Sequence, residues 1–399
     1  MPKLKGIVSV VSNSPYVPTG YGVQAGYLVE RLKRDGVNVA ALSNYGLEGG
    51  NSELDTPFGK IPHYARGFEM YSNDVMALNH AHHVNTVKNR FGKDLNDVLF
   101  TLYDVWVFTN KSLQDFRKIA SWTPIDHLTM TPGILNWLQK PNVVPIAMSP
   151  HGKRVMEESG LACEYVPHAV DTKIFQPTYK VNGTDVRRFM NVSDDDFIVG
   201  INAANKASGL IHRKAFGENL LAFSIFAKNR PDAKLYIHSD PFGGAGGWNL
   251  FNICESLGLK PEQIIFPDFA EYKYGISQDV LAGFYTAMDV LLATSYGEGF
   301  GVPTVEAQSC GTRVIGSGWT ATPDLVSSDC WLVDGQPVYD PGQMGWWQIP
   351  NVQSIINGLE AAYAVKGTRS QVSIDFAKQF DVETVWDNYW IPLWKKLFA

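Results

Sequence analysis

A chain of 399 residues with 45% hydrophobic and 19% charged side chains is too long for one hydrophobic core and suits two domains of about 150 to 200 residues each. A net charge of −6 disfavours a broad nucleic-acid footprint, and no run of about 18 apolar residues suggests a membrane span or stable membrane insertion. Four scattered cysteines, Cys163, Cys254, Cys310 and Cys330, and a basic start without a small-residue cleavage site lead to the expectation of a cytoplasmic protein.

Strand and helix patterns alternate from end to end, as in parallel sheets covered by helices on both faces, an α/β class. The first strand is expected over residues 6–11, followed by a turn over 13–22, a helix over 23–34 closed by Gly36, and strands over 38–42, 98–103, 118–123 and 143–147. The polar stretch between Cys163 and Asp196 reads as a linker, so residues 1–180 form one Rossmann-like domain and residues 190–380 a second. The second is expected to hold strands over 197–201, 234–238, 264–266, 290–294 and 313–315, with helices over 217–229, 248–257 and 280–288. Gly243 to Gly247 reads as a turn, with a linker or ligand loop as alternatives. Residues 382–399 carry Trp386, Tyr389, Trp390, Leu393, Trp394 and Leu397 at helical spacing, a stripe that must pack against something.

The tightest functional constraint lies between Ser295 and Gly311. The buried strand before it runs into Gly297, Gly299 and Gly301, which let the backbone approach a ligand closely, and Pro303 opens a short helix bracketed by Gly311. Glu306 sits one turn into that helix, where its carboxylate can accept both ribose hydroxyls beside a diphosphate held by the helix start. Glu298, on the loop, can accept hydroxyls of a second sugar. An ordinary strand–loop–helix corner with solvated carboxylates is the alternative.

The run Glu-Gly-Phe-Gly-Val-Pro-x-x-Glu-Ala-x-x-Cys-Gly-x-x-Val-Ile, from Glu298 to Ile315, resembles the Glu-x7-Glu signature of the retaining glycosyltransferase family 4. The resemblance implies a GT-B fold: two Rossmann-like doubly wound domains facing an interdomain cleft, with a C-terminal helix crossing back to the first domain. It gives Glu298 to the donor sugar and Glu306 to the nucleotide ribose, with Gly299, Phe300, Gly301 and Val302 completing the donor loop. It also places an arginine and a lysine against the diphosphate, after the first strand of the second domain. Lys214 matches the family lysine. Lys206 or Arg213 stands in for the arginine, with Asn205 beside them. Gly20 and Gly22 occupy the family's glycine-rich loop, and Asp126 and His127 fall where a residue contacts the transferred sugar. His127 as a core or capping histidine is the alternative, while His151 and His238 read as structural. The segment Tyr165 to Pro177 is similar to the one that joins the domains in this family. There Ala169 replaces the usual glycine, and Asp171 is expected to make local turn hydrogen bonds.

By this resemblance the reaction transfers sugar from a nucleoside diphosphate sugar, of UDP or GDP, to an acceptor hydroxyl with retention. The departing phosphate oxygen takes the acceptor's proton, so no protein nucleophile is required. No Asp-x-Asp-type pair lies beside a suitable strand, so neither a metal site nor a cofactor is expected. The acceptor stays open between protein, glycan, lipid, small molecule and modified nucleic-acid base, because residues 48–70 match no motif. Three other readings share these residues: a glycoside hydrolase using Glu298 and Glu306 as acid and nucleophile or base, a nucleotide-sugar-binding module, and a same-fold epimerase.

Overall fold

The computed structural model describes residues 3–92, 94–207 and 211–399. The chain divides into two compact units. One comprises residues to Ile125, Thr129–Ala169 and Val382–Ala399; the other comprises Asp126–Leu128 and Val170–Asp381. Residues 170–180, read from the sequence as the end of the first domain, therefore pack with the second unit.

The first unit runs β1 (Ile7–Ser12), α1 (Gly20–Arg34), β2 (Asn38–Ser43), β3 (Ser52–Leu54), β4 (Ile61–Tyr64), α2 (Met76–Phe91), β5 (Asp97–Leu102), β6 (Ile119–Thr123), α3 (Pro132–Leu138), β7 (Val143–Ala147), α4 (Pro150–Glu158) and β8 (Glu164–Tyr165). Its sheet has the order β3-β4-β2-β1-β5-β6-β7-β8, parallel except for β3, which pairs antiparallel with β4. Every residue of β1 and β6 is buried, as expected of strands covered on both faces. The strands after β1 proceed first to one side and then to the other, which makes the β1/β5 junction the topological switch point.

Helix α1 starts at Gly20, three residues earlier than its apolar pattern suggests. Thr19 is the reason: its backbone is extended and its hydroxyl accepts from the Gly22 N–H at 3.1 Å, a side-chain N-cap. Arg31, Lys33 and Arg34 in the last turn complement the helix dipole.

The aromatic tail completes this unit's core. The tail passes from Val382 through a π-helical stretch, Trp386–Trp390, to Phe398. The π stretch lies just before Pro392, which has no N–H to continue the ladder. Trp386 and Trp394 are fully buried and Trp390 nearly so. The Trp390 ring lies 5.6 Å from Phe100 and 4.9 Å from Trp122, and Trp394 lies 5.7 Å from Phe100. Glu383 holds both Arg31 and Arg34, at 2.7 and 2.8 Å, and the Trp386 indole donates to Asp35 at 2.7 Å.

The second unit runs β9 (Lys180–Val181), β10 (Thr184–Asp185), α5 (Val186–Phe189), β11 (Phe197–Asn202), α6 (Phe216–Ala227), β12 (Ala233–His238), α7 (Leu250–Ser256), β13 (Ile264–Ile265), α8 (Phe269–Tyr274), α9 (Gln278–Ala287), β14 (Val290–Ala293), α10 (Val302–Ser309), β15 (Arg313–Ser317), β16 (Trp331–Val333), β17 (Gly335–Asp340), β18 (Gly345–Pro350), α11 (Val352–Tyr363) and α12 (Gln371–Ala377). In the first unit's tail, α13 (Val382–Val385) precedes the π stretch and α14 (Ile391–Phe398) follows it.

The second unit's main sheet has the order β13-β12-β11-β14-β15-β16 and is parallel throughout. Its core gathers Phe197, Phe216, Phe223, Phe226, Leu235, Leu292 and Ile315. The switch point lies between β11 and β14. A feature absent from the sequence reading is the antiparallel hairpin β17–β18. Asp171 does make the expected turn, accepting from the Lys173 N–H at 3.0 Å. The glycines from Gly243 to Gly247 form a closed turn: the Gly246 and Gly247 N–H groups both donate to the Gly243 carbonyl. Gly247 packs so tightly on Asn205 that a Cβ there would come within 2.2 Å of its carbonyl oxygen.

Candidate functional site

The loop between β14 and α10 is fixed by its neighbours before any ligand is considered. Tyr296 donates its N–H to the Arg213 carbonyl at 2.7 Å and its hydroxyl to Glu218 at 2.6 Å, and the Trp319 indole donates to the Tyr296 carbonyl at 2.8 Å. Gly297 has no room for a side chain, since a Cβ would lie 1.9 Å from the Asp126 carbonyl oxygen. Gly301 enters α10 at φ +95, a left-handed conformation that favours glycine, and Pro303 occupies the first helical turn. Gly299 and Phe300 are buried in the same loop, and Val302 is the first residue of the helix.

Four charged side chains meet beside this loop. Lys214 pairs with Glu298, which also accepts from the Ser295 hydroxyl at 2.6 Å. Arg213 lies 3.5 Å from both Glu298 and Asp126 and donates to the Gly297 carbonyl. Burial works against each charge. It holds Lys214 below its ordinary pKa despite Glu298. It also pushes Glu298 and Asp126 upward, but the cations, with His127 in the case of Asp126, outweigh it, so both carboxyls stay below their usual range. All four side chains are half-buried, so breaking one pair leaves a partly desolvated charge without its partner.

Glu306 has the opposite environment. It is buried on α10 and accepts from the Tyr285 hydroxyl at 2.8 Å, and Tyr285 in turn accepts from the Asn202 amide at 2.6 Å. Burial pushes the Glu306 carboxyl up to about 7, with Tyr285 opposing the rise. Neither Asn202 nor Tyr285 stands out in the sequence as a partner of this carboxylate; both become so because β11 is next to β14 and α9 packs against α10.

His127 is enclosed in the second unit, although it follows a strand of the first in the chain. It is 1% exposed and stacks on Trp347 of β18 at 4.6 Å. Its Nδ1 lies 2.9 Å from Asp126 and its Nε2 3.2 Å from Asp340 at the end of β17. The Leu128 N–H donates to the Trp346 carbonyl at 2.8 Å, which pins the segment to the hairpin. Sequence reasoning missed Asp340 and Trp347; the Tyr-Asp-Pro-Gly and Trp-Trp runs were the available signals of a turn and a buried strand.

The remaining candidates divide. Asn205 is not positioned as a donor ligand. Its amide donates to the Asp240 and Trp248 carbonyls, both at 2.7 Å, and its oxygen accepts from the Trp248 N–H and meets His212, so it ties loops together. Lys206 is exposed. Residues 208–210, in the loop read as lengthened, lie outside the described residues. In the first unit, Gly20 and Gly22 form the first turn of α1 instead of a loop before it. A Cβ at Gly20 would meet nothing within 4 Å, whereas one at Gly22 would lie 2.4 Å from the Val17 carbonyl oxygen, so Gly22 is required by packing. His238 accepts or donates to Tyr236 at 2.9 Å, a structural role. Among the described residues no group of three or more His, Cys, Asp or Glu side chains is arranged to hold a metal ion, and no helix is long and apolar enough to cross a membrane.

Two parallel-sheet Rossmann-like units with these connections are the GT-B glycosyltransferase fold. Sucrose-phosphate synthase from Thermosynechococcus elongatus superimposes with a TM-score of 0.74 at 17% identity, covering 99% of this chain and 100% of that one. Anabaena HepE in complex with UDP and glucose gives 0.61 at 18% identity, covering 98% and 99%. At the level of sequence, residues 209–342 match the family described as glycosyl transferases group 1. The D-inositol 3-phosphate glycosyltransferase of Mycolicibacterium vanbaalenii is 36% identical over 127 residues, covering 28% of this chain and 26% of that protein. The serotype-specific mannosyltransferase WbdA of Escherichia coli is 30% identical over 130 residues, covering 32% and 15%. The matches thus span about a quarter or less of these relatives' lengths.

Proposed function

We propose that the protein is a retaining glycosyltransferase of the family 4 type, which moves a sugar from a nucleoside diphosphate sugar to an acceptor hydroxyl without a metal ion. The observation that carries this reading is the connected cluster Lys214–Glu298–Arg213–Asp126 at a sheet switch point, one loop away from the start of α10 and from Glu306. Two cations beside a helix N-terminus suit a diphosphate. Glu306 is then placed for the ribose, and Glu298 for the donor sugar. Donor binding exchanges carboxylate partners of Lys214 and Arg213 for phosphate oxygens, which frees Glu298 to accept sugar hydroxyls.

In the transfer, the bond from the anomeric carbon to the phosphate oxygen breaks as the acceptor oxygen bonds to that carbon on the same face. The acceptor's proton passes to the departing phosphate, and Lys214 and Arg213 stabilise the charge that grows there. Asp126, with His127 held behind it, steadies the positive character at the anomeric carbon. UDP in a structural neighbour makes UDP the first nucleotide to test and GDP the second. The four free thiols fit a cytoplasmic setting.

A glycoside hydrolase is the second reading, because one glutamate with a raised pKa and one with a lowered pKa could serve as acid and base. Thermal denaturation with UDP, GDP and ADP, with and without EDTA, separates the two. A transferase is stabilised by roughly 2.7 kcal/mol at a hundredfold excess over Kd, with or without chelator. No stabilisation by any nucleotide sinks the transferase reading; stabilisation lost in EDTA sinks its metal independence.

A further inference from the structure

If Glu306 receives the ribose, as the transferase reading on which this inference rests requires, something must hold its carboxyl at the correct angle. Three elements of the second unit converge behind it. Asn202 ends β11 at the switch point of the sheet, Tyr285 lies near the end of α9, and Glu306 lies one turn into α10. The Asn202 amide donates to the Tyr285 hydroxyl at 2.6 Å, and that hydroxyl donates to Oε2 of Glu306 at 2.8 Å. Tyr285 is fully buried and Glu306 is buried, while Asn202 is half-buried.

The direction of this path is fixed from both ends. An amide nitrogen only donates, so it occupies a lone pair of the phenol and leaves the phenolic hydrogen to Glu306. Burial, reinforced by the Glu306 charge, pushes Tyr285 well above its ordinary pKa, so that hydrogen stays on the phenol throughout the neutral range. Glu306 is itself driven toward the neutral acid by burial. Among the described residues Tyr285 is the group that opposes this drive, and no lysine or arginine pairs with Glu306. Glu298 differs, because Lys214 and Arg213 keep it charged. A neutral acid turns a hydrogen toward the ribose where a carboxylate accepts from both hydroxyls. Donation by the phenol therefore favours the form that the ribose needs.

Tyr285 also sets where the helix lies. Its hydroxyl meets Glu306 within α10, and its carbonyl accepts from the Thr312 hydroxyl, just beyond the end of α10, at 2.6 Å. Its ring lies 6.2 Å from the buried Phe175. Attachments at 306 and 312 restrain α10 against sliding along α9, and the phenol then fixes the carboxyl at the tip of the Glu306 side chain. A phenylalanine would fill the same space, so packing alone does not require the hydroxyl.

We propose that Tyr285, oriented by Asn202, is a positioning residue for donor recognition: it fixes Oε2 of Glu306 so that the carboxylate accepts the ribose hydroxyls, and it thereby sets a preference for ribonucleotides over their deoxy forms. Being fully buried, it acts only through Glu306. UDP, GDP and ADP, and the 2′,3′-dideoxy form of each, are titrated calorimetrically into the native protein, Tyr285→Phe and Asn202→Ala. For the nucleotide that binds, the native protein is expected to favour the ribose form about a hundredfold. Tyr285→Phe should cut that preference about tenfold, wholly by weakening the ribose form, since only the ribose senses the carboxylate. Asn202→Ala leaves the phenol its bond to Glu306 but removes its orienting partner; it should cut the preference about threefold, and it carries the test if Tyr285→Phe does not fold. An unaltered preference in the folded variants, or equal weakening of both forms, overturns the proposal. A native protein that binds a nucleotide without preferring ribose overturns it together with the Glu306 assignment and leaves the transferase reading standing. A native protein that binds none of the three nucleotides overturns both.

Discussion

The two units open their sheets at equivalent places and line those places with opposite chemistry. After β11 and β14 the chain supplies Arg213, Lys214 and Glu298, a half-buried network in which cations and carboxylates compensate one another. After β1 and β5 it supplies Asn13, Tyr103 and Asp104, with aromatic rings in contact and no lysine or arginine in those two loops. Parallel-sheet topology sets where a ligand can sit, and the loop side chains set its charge.

The sharpest way to break this contrast is to remove its strongest ionic member. Glu298→Ala is expected to lower transfer about a thousandfold, within the range of losing one preorganised electrostatic contact plus the balance of Lys214. Steady-state nucleotide release checks it, and activity within tenfold of the native protein would dissolve the distinction between the two edges. The next effect concerns pH. Because Glu306 holds its proton up to about 7 when folded, against the ordinary glutamate value of 4.5, the folded state binds that proton more tightly than the unfolded chain. Its stabilising contribution is full below pH 4.5 and is lost as pH rises through 7, a change of roughly 3 kcal/mol. Denaturant melts between pH 4.5 and 8 should show that decline, and Glu306→Gln should flatten it; an unchanged slope in the variant would show that another group is responsible. Least severe is Asp340→Asn. It keeps the size of the side chain but removes the charge facing His127, and transfer is expected to fall about three- to tenfold with nucleotide affinity unaltered, as suits a residue acting through another. A loss confined to nucleotide affinity would place the hairpin in a different role.

Much of this second site was legible because glycine and proline announce backbone needs directly. Gly301 at positive φ, Pro303 in the first turn and Gly311 after the last fix where Glu306 falls on its helix, whatever the rest of the fold does. Lys214 and Arg213 were readable from their place after a buried strand. Partners supplied by distant segments were not. Trp347 and Asp340 reach His127 only because the β17–β18 hairpin packs over Ala215 and Tyr296, a contact with no local sequence signature. Asn205 misled for the reverse reason: a polar residue beside lysine looks like a ligand-binding group, yet it holds the turn that follows β12. In the first unit, α2 escaped notice because His80 and His83 occupy its buried face and interrupt the apolar stripe. His80 meets Ser9 at 2.8 Å and His83 meets the Asn38 carbonyl at 3.1 Å, so polar side chains fill positions where periodicity looks for leucine. Tyr71, with φ of 59, could not have been read as strained, since nothing in its own residue type asks for a left-handed backbone.

The tryptophans that close the first unit also set an order of events at the ribosome. Phe100 and Trp122 are synthesised early, but the rings that cover them, Trp390 and Trp394, emerge only after the entire second unit has been translated. The second unit can thus complete its interior while the first still presents an uncovered aromatic surface to solvent or to a chaperone, reversing the usual N-terminal-first sequence of domain folding.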